Sequence, residues 1–600
     1  IIIISLLTFL ISTVNATTYT DDSTGITWSY IKNGTEATNV YVSSYRLNEY
    51  VEDLKIPETI SGLTVTSIGS GKSNYTILGK KSSYEDIVLR EVSIPRTVTR
   101  IENYTFRNSR NLKKITIPDS VTTIGNHSFE NCTDIQQVLI PSGVAKIGDY
   151  AFGDCLSLNY VNLSNVQELG EGSFYRCRDL AKIEFPQTLI KIGAKSFQET
   201  ILNEISFPSS VTTIGDKAFW ACERLSKIEF GTGITSVGLA AFYDCTSLTD
   251  ITLPENATDM GDCVFQGCTA LKTVTMNDKI TEIPAYFFED CTALNTINFK
   301  ADITYINYRA CYNCRGLESI ILPKTVNEIE ESAFENCINL QSINLGTSIT
   351  RLGENSFYNC YSLKNIILPN TVETLDQSAF QGCSGLVGDL NIPDSVTSIG
   401  EKVFYGCESL NGKLVIGEGV VDISDYAFSQ CNFSRITLKG MINSIKENSF
   451  SDTVTDIWID QNKDDVNITE NLFKGRIHFK NCKHKVVFSG VTGIDIKEKS
   501  TNNILKTKEY DCESNIEFYL DIANNANTAN LSLIVMSVDE NGKETIDKNI
   551  ALSQYNGESY RLSNILFERK ETFNQKQKCR LIEKKQCGGQ YIEINLKMTI

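Results

Sequence analysis

Apolar and polar positions in this chain follow two rhythms, one nested in the other. In VNEIEESAFENCINLQSINL, from Val326 to Leu345, the apolar positions fall in three tracts: V-x-x-I, then A-F-x-x-C, then L-x-x-I-x-L. The last tract alternates apolar with polar residues, which predicts a short strand with one buried face. A proline follows the tract at Pro118, Pro141, Pro186, Pro208, Pro254, Pro323, Pro369 and Pro393. Proline has no N–H to give a ladder, so it ends the strand.

The longer rhythm is set by one aromatic position. It is filled by Phe106, Phe129, Phe152, Phe174, Phe197, Phe219, Phe242, Phe265 and Phe288, once by Cys311, and then by Phe334, Phe357, Phe380, Phe404, Phe428, Phe450 and Phe473. Every step is 22, 23 or 24 residues. A coil of that size cannot bury its apolar positions alone. Stacked coil on coil, each Phe, Leu and Ile meets its counterpart, and the predicted fold is an elongated array with one continuous core.

The unit I-G-x-x-A/S-F-x-x-C-x-x-L-x-x-I-x-I/L-P, found seventeen times between about residues 51 and 480, resembles the repeat of the BspA-type leucine-rich repeat family. The resemblance implies an α/β-type repeat solenoid, curved, with a parallel β-sheet along its concave side. It also implies a surface or secreted protein of an anaerobic bacterium or of a gut-dwelling or parasitic microbial eukaryote, acting in adhesion. Fold transfers along such a resemblance more securely than ligand does.

The ends depart from the beat. Residues 1–16, opening IIIISLLTFLISTVNA, read as a secretory signal, since the apolar run is short for the roughly 20 residues that a bilayer core requires. Residues 17–50 read as a hairpin turning at Asn33-Gly34, a natural cap for an open sheet edge. Residues 51–480 hold the array, interrupted by a loop over 70–86. Residues 481–600 read as a small β-rich module, with a turn at Glu540-Asn541-Gly542 between two alternating runs.

Charge and cysteines narrow the chemistry. A net charge of −17 argues against nucleic acid as a partner. Ten N-x-S/T triplets, opening at Asn33, Asn74, Asn103, Asn126, Asn131, Asn162, Asn256, Asn432, Asn467 and Asn530, fit passage through a glycosylating pathway and an extracellular or surface location. No later segment carries 18 consecutive apolar residues, so no membrane span is expected in the chain given. Of the 19 cysteines, thirteen stand three residues after the recurring aromatic position, from Cys132 to Cys431. Equivalent stacked positions offer no preferred pairing, so these read as small buried residues whose S–H meets a turn carbonyl. Thr200 fills the slot once. No metal site or cofactor is expected; His478 and His484 flank Cys482 among lysines and read as solvated. Cys482, Cys512, Cys579 and Cys587 have three pairings between them, which the sequence leaves open.

Function is sought on the outward positions of the L-x-x-I-x-I strands. Most are small and polar, without the acid and base pair of a glycosidase or the nucleophile and base of an esterase. No enzyme activity is expected. The middle sector differs: Ser319, Ile321, Ser342, Asn344, Asn365 and Ile367 combine exposed isoleucines with hydroxyls and amides, a surface suited to a protein or glycan of another cell or matrix. Two alternatives stand beside this recognition reading. One is a structural coat or spacer whose contacts come from residues 481–600; the other, a distant third, is a hydrolase seated in those residues.

Overall fold

The computed structural model describes residues 16–459, apart from 25, 45–51, 73–74, 78, 81–88, 301, 447 and 455, and beyond them the strands between 476 and 598. The chain divides into two compact units, Ile1–Ile349 with Ser356–Ser362, and Thr350–Asn355 with Leu363–Ile600.

The first unit is a β-solenoid of stacked parallel coils. Its N-terminal strands Thr17–Asp21, Ile26–Asn33 and Glu36–Ser44 form an antiparallel meander. Gly34, at φ 62°, sits in the hairpin turn between the second and third strands, where an L-residue would be strained. The third strand then pairs in parallel with Leu63–Val65 and with Ser67–Ile68, covering the first edge of the array.

Each coil has three sides. The L-x-x-I-x-I side forms the expected three-residue strands, but in separate sheets: Asp53–Lys55 with Glu91–Ser93 and Lys114–Thr116, Gln137–Leu139 with Tyr160–Asn162, Glu204–Ser206 with Lys227–Glu229, Asp250–Thr252 with Thr273–Thr275 and Thr296–Asn298, and Ser319–Ile321 with Ser342–Asn344. The V-x-x-I side forms a second parallel ladder of two-residue strands, unbroken from Ser67–Ile68 through Asp259–Met260. Two residues were too few to show an alternation in the sequence, so this ladder was not anticipated.

The third side replaces a helix. Among the described residues every regular element is a strand, so the α component of the expected α/β-type repeat is absent there. Two residues per coil, four apart, take left-handed φ, as at His127 (54°) and Asn131 (61°), and this interrupts any helical run. Instead, the N–H groups of His127, Phe129 and Asn131 donate to the carbonyls of Asp149, Ala151 and Gly153 in the next coil, each at 2.7 Å. Glycine of the I-G pair is required by closeness: a Cβ on Gly148 would lie 2.5 Å from the Gly125 carbonyl carbon.

Inside, Phe106, Phe129 and Phe152 stack at 5.0 Å and 5.0 Å between ring centres, fully buried. The cysteines lie beside them. Cys132 Sγ donates to Phe106 O at 3.1 Å, and Cys155, Cys177, Cys222 and Cys245 repeat the bond one coil at a time. At the exceptional slot the Thr200 hydroxyl is buried and donates within its own coil to Phe197 O at 2.9 Å.

The second unit continues both kinds of ladder, with Leu390–Ile392, Lys413–Ile416, Arg435–Leu438, Asp456–Ile459 and Arg476–Phe479 in one parallel sheet. Phe380, Phe404, Phe428 and Phe450 stack at 5.1, 5.5 and 5.6 Å. Beyond it the strands from Lys483–Ser489 to Tyr591–Met598 form two five-stranded sheets. Leu531–Val538 and Glu544–Ala551 pair antiparallel on either side of the expected turn at 540–542. Residues 1–15 of the expected signal at 1–16, Asn74, Asn467, Asn530, Cys482, Cys512 and Cys587 lie outside the described residues, as does part of the loop at 70–86.

Candidate functional site

A three-residue strand turns its middle residue inward and its flanks outward. In the first unit Ser319–Ile321 pairs with Ser342–Asn344 in the register Ser319 to Ser342 and Ile321 to Asn344. Ile320 and Ile343 between them are buried. Four of the six expected residues therefore share one outward sheet face. Ile321 is 75% exposed there, with no apolar cover. The Asn344 side chain is held by the Gly346 N–H, which donates to its Oδ1 at 2.9 Å.

Asn365 and Ile367 belong to the second unit. Both are exposed, Ile367 at 82%, and their tract forms no strand.

Two further outward features lie along the strip. Leu139 and Tyr160, on paired strands, are 62% and 49% exposed. Further along, strands Lys227–Glu229 and Asp250–Thr252 belong to different sheets, and a cavity of about 780 Å³ opens beside them, lined by Glu204, Lys227, Glu229, Asp250, Thr252 and Thr273 among others. Lys227 Nζ lies 2.6 Å from Glu229 Oε1. That bond holds the Glu229 carboxyl below the usual range and raises the Lys227 ammonium above its own. Glu229 is thus kept ionised and unsuited to donate a proton. Reading down the strip from coil to coil gives the alternation of Lys with Glu in this sector; the cavity beside it follows from which strands pair.

Buried thiols are kept inert by desolvation. Burial pushes Cys222 up to about 12, so the nucleophilic thiolate is suppressed near neutral pH. His127 stacks between Tyr104 and Tyr150 at 4.9 and 5.4 Å, with Nδ1 3.2 Å from Glu130. Among the described residues no group of three or more His, Cys, Asp or Glu is placed to hold a metal ion, and no helix is long and apolar enough to cross a membrane.

The sequon asparagines differ in access. Asn33, Asn162, Asn256 and Asn432 are exposed. Asn103, Asn126 and Asn131 are half-buried and bonded across coils: Asn103 Oδ1 accepts from Asn126 N at 2.7 Å, Asn126 Nδ2 donates to Asp149 at 3.1 Å, and Asn131 Nδ2 donates to Asn108 at 2.7 Å.

The chain is similar to several solved proteins. A leucine-rich repeat protein of Bacteroides ovatus ATCC 8483 is 24% identical, covering 76% of this chain and 98% of its own, with a TM-score of 0.42. A leucine rich cell surface protein of Faecalibacterium prausnitzii A2-165 is 25% identical over 72% of this chain and 94% of its own, with a TM-score of 0.33. The pneumococcal vaccine antigen PcpA is 18% identical over 77% and 98%, with a TM-score of 0.36. No curated protein matches the chain. The model of the BspA type leucine rich repeat region, itself described as six copies of the repeat, matches over residues 76–200, 167–295, 281–410 and 387–495. With its I-G turn, stacked Phe and thiol-to-carbonyl bonds repeated coil after coil across that span, the chain belongs to the BspA-type leucine-rich repeat family.

Proposed function

We propose that the protein is a non-enzymatic recognition protein, secreted or displayed at the cell surface, that binds a protein or glycan of another cell or matrix along its outward L-x-x-I-x-I strip. The observation that carries this reading is Ile321: a large apolar side chain 75% exposed, in a sheet whose other outward positions are hydroxyls and an amide. Water gains nothing from such a group, whereas burying it under a partner contributes about 1.5–3 kcal/mol. Membership of a repeat family with surface-described neighbours supports the same reading. Full-length protein carrying Ile321→Glu should bind cells or matrix-coated surfaces at least tenfold more weakly than wild type; unchanged binding removes the middle sector from the account.

A second reading is favoured by the two five-stranded sheets formed beyond residue 483. There the array supplies length and residues 481–600 make the contacts. Binding insensitive to Ile321→Glu and Ile367→Glu, but abolished by substitutions in those sheets, would select it.

A further inference from the structure

On the strip, apolar surface and a modifiable amide meet at one place. Leu139 lies directly opposite Asn162 in the parallel pair Gln137–Leu139 and Tyr160–Asn162. Tyr160 precedes Asn162 by two residues on the same strand, and alternate residues share a face at a spacing of about 7 Å. All three side chains are exposed.

Asn162-Leu163-Ser164 is an N-x-S/T triplet. Asn162 Oδ1 accepts from Ser164 N at 2.8 Å and from Ser164 Oγ at 3.3 Å, so the carbonyl end of the amide is anchored. Among the described residues its Nδ2 donates to no protein atom. The two other exposed sequon amides within the coils behave differently: Asn256 Nδ2 donates to Thr232 O at 2.9 Å and Asn432 Nδ2 to Glu408 O at 2.6 Å. Their counterparts at residue −2 are Pro254 and Gln430, which offer no aromatic face.

We propose that Asn162 carries an N-linked glycan whose first sugars fold back over Tyr160 and Leu139. In the transfer, Asn162 Nδ2 forms a bond to C1 of the first sugar of a lipid-linked oligosaccharide diphosphate. The C1–O bond to the diphosphate breaks with its electron pair, the lipid diphosphate leaves, and Nδ2 gives up one of its two protons. The C–H face of a pyranose is apolar and slightly positive, and the face of the Tyr160 ring is apolar and negative, so the two stack. Leu139, one strand away at about 4.8 Å, extends the platform. The glycan thereby covers the apolar group that the N-terminal half of the strip exposes, and leaves Ile321 as bare contact surface in the same unit. This inference rests on the secreted or displayed reading above.

The test uses full-length protein isolated from the cells that make it. Glycopeptide mass spectrometry should find sugar on Asn162, and tyrosine nitration of Tyr160 by tetranitromethane should rise at least threefold after enzymatic removal of the glycan. The Asn162→Gln protein should nitrate at the higher rate without treatment. A bare Asn162 alongside occupied Asn33 or Asn256 would overturn this inference alone. Sugar at no sequon would overturn it together with the secretory reading. An occupied Asn162 whose removal leaves nitration of Tyr160 unchanged would overturn the fold-back.

Discussion

Cys155 Sγ donates to the Phe129 carbonyl oxygen of the preceding coil at 3.3 Å. The same carbonyl, on the turn side of its coil, also accepts from Cys132 N at 3.2 Å, so the thiol adds a second donor, from the next coil, to a paired acceptor. The ladder cysteines therefore tie each turn to the coil before it.

This predicts an alkaline limit on stability. Cys222 stands at 9 as an ordinary thiol and at about 12 in the fold, raised by burial. A group whose folded pKa lies above its unfolded one contributes stability that is fully present below the unfolded value and is lost as pH rises through the folded one. Melting temperature under reducing conditions should hold up to about pH 9 and fall steadily between there and about pH 12. Thiol reagents at pH 8 should label the ladder cysteines only after denaturant is added.

The aromatic stack predicts a large, local cost. Phe129 lies between Phe106 and Phe152, at 5.0 Å from each. Phe129→Ala removes both contacts and leaves a cavity, costing about 3–5 kcal/mol. Urea denaturation followed by amide exchange should show the loss centred on the neighbouring coils, since each coil of such an array touches only its neighbours.

Close coil approach predicts that one methyl group is too much. Gly148→Ala places its Cβ 2.5 Å from the Gly125 carbonyl carbon and 2.6 Å from Asn126 N, both backbone atoms that cannot rotate away. The expected loss is about 1–3 kcal/mol by denaturant midpoint. Gly153→Ala serves as the control, because its Cβ meets nothing nearer than 3.3 Å.

Much of this was readable before the structure. Phe106 to Phe473 fixed the coil length, and Thr200 in a cysteine slot already showed that the cysteine is replaceable there. What stayed hidden depends on relations between coils. The ladder through Ile124 and Ile147 rests on two-residue strands, too short to carry a period. The split between Lys227–Glu229 and Asp250–Thr252 depends on pairing, which composition does not encode. Among the described residues no helix forms on the third side, for a local reason: residues such as Lys195 and Glu199 adopt left-handed φ of 54° and 56°, although neither type advertises it. On the candidate strip, Ile321 was found because its residue type is unusual for an outward slot. Leu139 is equally unusual in an outward slot and was not singled out.

The central claim is that partners meet the L-x-x-I-x-I strip and not the parallel V-x-x-I ladder. Two full-length double variants of equal added charge separate these surfaces. Ile321→Glu with Ser342→Glu alters the first, and Thr123→Glu with Thr213→Glu alters the second, where Arg100 and Lys191 stand beside the new carboxylates. Binding of labelled protein to cells or matrix-coated surfaces should fall at least tenfold for the first variant and stay near wild type for the second. Loss confined to the second variant, or equal binding by both, would contradict the account.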